Sequence, residues 1–464
     1  MLEVELGEHG RKGIEKMIQK ILIANRGEIA VRIIRTCQKM NIKTVAVYSE
    51  ADEKSLFVKL ADESYLLGPP QVTESYLKAD KIVDIAKKTA VDAIHPGYGF
   101  LSENAEFVHQ CEDAGIIFIG PKAEVMQQMG DKIKARQIME KAGVPVIPGT
   151  SEAVAEDTAK QAASSIGYPL MLKASAGGGG IGMQVVHSEE ELEKGFAGNS
   201  RRAEQFFGVG TMFLEKYIET SRHIEIQVVA DQHGNVVHLF ERDCSIQRRN
   251  QKVVEEAPSP FISAETRVEM GKTAVQAAKE IGYTNAGTIE FLVDDEENFY
   301  FLEMNTRIQV EHAVTEEVTH QDIVELQINI ASGKALEFKQ KDLTFDGHAI
   351  EVRIYAEDPV RFFPSPGTIT TYEEPGGEHV RMESSIEQGT EITPFYDPMI
   401  SKLIVWESTR DEAIKQMLEA LRQYKIEGIK TNLPMLEEVV NHEQFRQGQV
   451  TTKFIEKHYA PTVK

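Results

Sequence analysis

Basic residues are the minority charge: 51 Lys and Arg stand against 73 Asp and Glu, a formal net charge of −22. A protein that grips nucleic acid by neutralising phosphates needs the opposite balance, so that class is excluded. Cysteine is scarcer still. Cys37, Cys111 and Cys244 are an odd number, and no two are spaced as metal-binding pairs are. They read as reduced thiols of a cytoplasmic protein. Cys37 and Cys111 fall in helical core segments, and Cys244 sits among charges without a partner base. No run of about 18 apolar residues occurs, so no membrane span is expected. Met1 to Lys16 is charged and lacks the apolar centre of a secretory leader. Residues 1–16 are expected to be a mobile extension or upstream start ahead of Met17. Two nucleotide fingerprints are missing as well. Without G-x-G-x-x-G a dinucleotide site is disfavoured, and without G-x-x-x-x-G-K-[ST] there is no Walker A loop.

What is present is strand alternating with helix, the pattern of an α/β protein with a parallel sheet. Ile18 to Ala24 reads as a strand, Asn25-Arg26-Gly27-Glu28 as a turn and Ile29 to Met40 as an amphipathic helix. Further strands are read at Lys43 to Tyr48, Ala93 to Ile94 and Ile116 to Ile119, which makes a Rossmann-like domain over 17–130. In the loop His95 to Asn104, Ser102 is placed to cap a helix from Glu103. A helical connector is expected over 131–149, ending in the Pro- and Gly-rich stretch Pro145 to Gly149. Next comes a small α+β unit, 150–218, with strands Pro169 to Ala174, Met183 to His187 and Thr211 to Tyr217. The unit 219–348 carries two hairpins, His223 to Ala230 with Val236 to Arg242 and Ala286 to Val293 with Asn298 to Leu302. A last mixed β unit, 349–464, opens with the strand Ala349 to Ala356.

The chemistry gathers at three places. Ser175 to Gly182 holds four consecutive glycines between two strands, Gly177 to Gly180. Backbone N–H groups can approach phosphate oxygens there without obstruction, and Lys173 adds a positive charge. A hairpin lid over a nucleotide fits this pattern. Glu290 is a carboxylate in an apolar strand, costly unless it meets a cation. Its hairpin partner strand leads into Glu303-Met304-Asn305-Thr306-Arg307-Ile308-Gln309-Val310-Glu311-His312. If the strand continues, Glu303, Asn305, Arg307, Gln309 and Glu311 share one face. Such a row offers oxygens to a hard divalent cation and a guanidinium to an oxyanion.

Together these pieces resemble biotin carboxylase, the ATP-grasp component of biotin-dependent carboxylases. The likeness runs from about Ile18 onward. It rests on Ile23 to Ala30, His95 to Asn104, the glycine lid, Glu241 to Arg249, and Glu303 to Thr315. The resemblance implies an ATP-grasp fold and a site of known layout. Lys132, Lys173, Glu215, Lys216, His223, Gln247, Asn250 and Leu292 would contact the nucleotide, with Gly178, Gly179, Gly180 and Gly182 closing over its phosphates. Glu290, Glu303 and Asn305 would hold two Mg²⁺ or Mn²⁺ ions. Lys252, Arg307, Gln309 and the Val310 backbone would cradle bicarbonate. Glu311 would be the general base, and Arg353 would face the ureido oxygen of biotin, with Tyr98 in the loop on the biotin side.

The implied reaction is ATP-dependent carboxylation of carrier-bound biotin through carboxyphosphate. Three positions depart from the family pattern: Asn250 stands for a common His, Ile181 for an Arg and Ala313 for a Pro. A biotin carboxyl carrier protein and carboxyltransferase subunits are expected as separate partners, since no Met-Lys-Met tripeptide occurs. A homodimer is expected, with neither nucleic acid nor membrane as partner. Acetyl-CoA carboxylation for fatty acid biosynthesis is the leading context. An ATP-grasp ligase joining a carboxylate to an amine is the alternative activity, and a non-enzymatic nucleotide-binding scaffold is a third.

Overall fold

The first strand among the described residues, β1 (Lys20–Ile23), is buried at Ile21, Leu22 and Ile23 because helices and loops cover both faces of its sheet. That sheet also contains β2 (Lys43–Ser49), β3 (Glu63–Gly68), β4 (Ala93–His95) and β5 (Ile117–Phe118), all parallel, in the order β3-β2-β1-β4-β5. The expected Rossmann-like arrangement is present with one strand more than the sequence suggested. β3 escaped notice because it is an edge strand with Glu63, Tyr65 and Leu66 in Glu-Ser-Tyr-Leu-Leu-Gly, part polar and part exposed. The structure, a computed structural model, describes residues 17–175 and 182–459. The expected N-terminal extension, Gly178, Gly179, Gly180 and Ile181 lie outside the described residues.

Gly27, at φ +68°, turns the chain from β1 into the helix Gly27–Lys39. After β4, the cap of the helix Ala105–Asp113 is not Ser102. Asn104 accepts the Phe107 N–H at 2.9 Å, while Ser102 is buried in the loop before it. An Asx side chain holds the cap because the loop runs two residues further than expected.

A small antiparallel sheet follows, made of β6 (Leu170–Ala174), β7 (Met183–Val186) and β8 (Met212–Lys216) in the order β7-β6-β8. Two helices, Glu156–Ile166 and Glu189–Phe207, pack on it around Leu170, Leu172, Leu192 and Phe196. This unit therefore has its own core.

The main sheet has eight strands, of which the first six in the chain are β9 (Arg222–Ala230), β10 (Val236–Arg248), β11 (Gln251–Ala257), β12 (Asn285–Val293), β13 (Phe299–Asn305) and β14 (His348–Tyr355). Two short ribbons pair β15 (Gly367–Thr368) and β16 (Thr371–Glu373) with later strands, before and after β17 (Val380–Ser384). Their partners are β18 (Glu391–Ile392) and β20 (Lys425–Glu427), on either side of β19 (Met399–Glu407). The eight-stranded order is β13-β12-β9-β10-β11-β14-β19-β17. β14 bonds to β11, so one sheet runs from residues before 349 into those after it. Both hairpins expected from the sequence are present. Among the described residues, no helix is long and apolar enough to cross a membrane.

Candidate functional site

Along β9 the residues alternate: His223, Glu225 and Gln227 are polar, Ile224, Ile226 and Val228 apolar. In a surface strand such alternation puts the polar face in water. Here both faces are buried. The polar face continues across the sheet by register, since Glu225 lies opposite Glu290, which lies opposite Glu303. Like charges directly opposed on one sheet face repel. Such a row survives only where cations sit on it.

Lys252, on β11, is the main cation. Its ammonium donates to Glu225 Oε2 at 2.6 Å, Glu290 Oε1 at 2.8 Å and Glu311 Oε1 at 2.7 Å. Burial works against its charge, but these carboxylates outweigh burial and hold its pKa well above the ordinary lysine value. In turn Glu290 sits well below the usual carboxylate range, because Lys252 and His223 overcome its burial. Glu311, opposed by burial and favoured first by Lys252, is held down at about 2. His223 lies 3.0 Å from Glu290, and this carboxylate outweighs burial to push the imidazole up to about 9. His223, Glu225 and Glu290 bring three possible ligand atoms within 4.8 Å of one another.

The strand does not continue as the alternation suggested. β13 ends at Asn305, and Arg307, Gln309 and Glu311 come from a loop that leads into the helix His312–Thr319. They reach the cluster all the same. Gln309 donates to Glu290 at 2.7 Å, Asn305 donates to the same oxygen at 2.8 Å, and Arg307 donates to the Asn305 side-chain carbonyl at 2.8 Å. Arg353, on β14, bridges Glu255 at 2.6 Å and Glu311 at 2.9 Å. Its two carboxylate partners keep it charged despite burial.

On the opposite wall, Lys173 of β6 donates to Glu215 of β8 at 2.5 Å. Lys132 opens the helix Lys132–Lys141 and lies 3.9 Å from Glu303. Burial lowers its pKa. Lys216 turns its ammonium away, onto the carbonyls of Gly167 and Tyr168. Gln247 donates to the Cys244 carbonyl and bonds His223 Nδ1 at 3.1 Å. Arg249 and Asn250, at φ 52° and 64°, make the two-residue turn between β10 and β11. Asn is the non-glycine residue best suited to that backbone, which accounts for it at a position where His was expected.

Apart from Glu225 and Glu255, which are wholly buried, the charged groups named above, with Asn305, Gln309, Gln247 and Asn250, line one cleft of about 1130 Å³ between the small sheet and the main one. Leu292, Val310, Glu303 and Lys216 line it too, so the nucleotide, metal and bicarbonate residues expected from the sequence converge there. Among the described site residues, Tyr98 and Gly182 do not line it. The Tyr98 hydroxyl instead donates to Glu28.

Sequence reasoning passed over four groups. Arg136 donates to Glu215 at 3.2 Å. Arg242, wholly buried, donates to Glu225 at 2.6 Å and to Gln309 at 2.6 Å. Glu225 and Glu255 are the other two. The alternation on β9 was the available signal for Glu225; Arg242 had none beyond lying inside a quoted motif. Cys244 is buried, and burial pushes its thiol well above the ordinary value, in keeping with an inert cysteine.

Comparison with known proteins agrees in layout. Residues 17–126 match the family described as biotin carboxylase, N-terminal domain; 131–339 match the carbamoyl-phosphate synthase L chain ATP binding domain; 351–457 match the biotin carboxylase C-terminal domain. The chain is 62% identical over 443 residues to a biotin carboxylase of Halalkalibacterium halodurans, covering 95% of this chain and 98% of that one. It is 54% identical over 444 residues to a pyruvate carboxylase subunit of Methanothermobacter thermautotrophicus, covering 95% and 90%. A crystal structure of the biotin carboxylase domain dimer of Hydrogenobacter thermophilus 2-oxoglutarate carboxylase, with MgADP, ADP and bicarbonate, superposes with a TM-score of 0.93. That pair is 50% identical over 96% of this chain and 98% of the other.

Proposed function

Because the chain belongs to the biotin carboxylase family, we propose that it carboxylates carrier-bound biotin for an acyl-CoA carboxylase, with acetyl-CoA as the final acceptor. It is an ATP-dependent ligase of the ATP-grasp fold. The observation that carries the site reading is the ammonium of Lys252, which joins the metal-side acid Glu290 to the base Glu311.

The donor set fits a hard divalent cation. Glu290, Glu303 and Asn305 present oxygens on one sheet face, and Mg²⁺ prefers a few carboxylates completed by phosphate oxygens. Magnesium bound there would neutralise charge on the nucleotide phosphates. Lys132 and Lys173 face the same cleft from the lid side, and would meet the phosphates. Bicarbonate would lie against Lys252, Arg307, Gln309 and the Val310 backbone. Glu311 Oε1, bonded to Lys252, would take its proton. Arg353 holds Glu311 from the far side and would stabilise the ureido oxygen of biotin as negative charge develops on it.

The protein is a homodimer in this reading, a reading supported by the crystal structure of the Hydrogenobacter domain dimer. Its partners in this reading are a biotin carboxyl carrier and a carboxyltransferase. Purified chain should cleave ATP only when bicarbonate is supplied, and faster with free biotin. An ATP-grasp carboxylate–amine ligase would show neither dependence, so an indifferent rate would refute the proposal. Pull-down of the biotinylated partner with its transferase, followed by assay against acyl-CoA and 2-oxoacid acceptors, tests the acetyl-CoA assignment.

A further inference from the structure

Lys402 has no exposed surface, yet it sits in the middle of β19. A buried ammonium is costly unless it is bonded. Its Nζ donates to the carbonyl of Val310 at 2.5 Å and lies 3.5 Å from Glu28 Oε2. Glu28 stands in the first turn of the helix Gly27–Lys39, and its other oxygen accepts the hydroxyl of Tyr98. Tyr98, Glu28 and Lys402 therefore form a chain that starts in the loop after β4 and ends on the Val310 carbonyl. None of the three lines the cleft, so the chain acts from behind its wall.

The bonded carbonyl belongs to the peptide plane that joins Val310 to Glu311. A peptide is rigid and planar, so holding its oxygen fixes the direction in which the Glu311 Cα leaves. Lys402 is well placed for this task. Its register partners are Arg353 on β14 and Glu383 on β17, the edge strand of the eight-stranded sheet, so it is held from both sides. Glu351 and Glu383 also favour its charge, and Arg381 opposes it.

We propose that Lys402 is a positioning residue for the bicarbonate end of the site, and that Glu28 and Tyr98 set its hold on the Val310–Glu311 peptide. The inference rests on the assignment of Val310 and Glu311 to bicarbonate given above. It ties the loop expected on the biotin side to the general base, two regions about 200 residues apart in sequence, through buried groups.

The test is steady-state ATP cleavage by the full chain, with bicarbonate and ATP varied separately. Lys402→Met keeps the bulk and removes the donor. Its bicarbonate KM should rise about tenfold or more while the ATP KM stays within about twofold, a split that general loss of folding does not produce. Should Lys402→Met fail to fold, Glu28→Gln and Tyr98→Phe carry the test. Each should raise the bicarbonate KM about threefold, and the double variant should be no worse than the worse single one. Effects that multiply, or an equal rise in the ATP KM, overturn the proposal. A parent chain whose ATP cleavage ignores bicarbonate refutes the proposed function itself; a bicarbonate-dependent parent with unshifted variants refutes only the role of Lys402.

Discussion

Glu290 of β12 is the register partner of Glu303 of β13, so two carboxylates oppose each other across an antiparallel pair. Glu290 is engaged by Lys252, His223, Asn305 and Gln309, while the nearest cation to Glu303 is Lys132 at 3.9 Å. Glu303 is thus the acid with coordination to spare. Glu303→Gln should raise the Mg²⁺ concentration needed for half-maximal ATP cleavage by about 10- to 100-fold, with little change in thermal stability. A magnesium titration of the variant checks this, and an unshifted midpoint would remove Glu303 from the metal shell.

Glu311→Gln should all but abolish bicarbonate-dependent ATP turnover and leave ATP binding intact. The carboxylate touches Lys252 and Arg353, both of which would keep their other partners, Glu225, Glu290 and Glu255. The site should therefore stay assembled. Turnover within about threefold of the parent would show that another group takes the proton.

The parallel sheet, all but its edge strand, and both hairpins were legible in the sequence because apolar alternation and turn residues are local signals; the pairing of β11 with β14 across residue 349 was not, because it joins distant segments. Glu290 was legible for the same reason, as a carboxylate misplaced in an apolar strand. The loop from Thr306 to Val310 was not, since polar residues at every second position look alike in a strand and in a loop that folds back. Arg242 and Glu255 were out of reach too. Their roles come from partners on other strands, Glu225 and Arg353, and in the loop after β13, Gln309, which only the folded chain brings together. Nor did β3, a half-exposed edge, give a pattern that separates it from a loop.

His223 offers a check on the electrostatics that needs no substrate. Its folded-state pKa is raised from 6.5 to about 9, chiefly because Glu290 outweighs burial. The folded protein then holds a proton that the unfolded chain releases between those values. This stabilisation is complete below about pH 6.5 and is lost as the pH climbs through about 9, on the order of 3 kcal/mol in all. Thermal unfolding of the metal-free chain should show a melting temperature that falls over this window. His223→Gln should flatten the fall; an equally steep fall in the variant would assign it to other groups.

Arg353→Ala should damage biotin carboxylation far more than ATP cleavage. Arg353 is bonded to Glu255 and Glu311 but lies on the sheet strand beyond Lys252, away from the lysines of the lid wall. Burial already pushes Glu255 up to about 7, so that carboxyl can take a proton when its guanidinium is removed and need not unfold the site. Glu311 keeps Lys252. The expected result is a loss of about 100-fold or more in carboxybiotin formation, with biotin-independent ATP cleavage within about tenfold of the parent. Both rates are measured on one preparation, by fixation of labelled bicarbonate and by phosphate release. A parallel loss in the two would place Arg353 in the bicarbonate step and leave the ureido oxygen without its assigned partner.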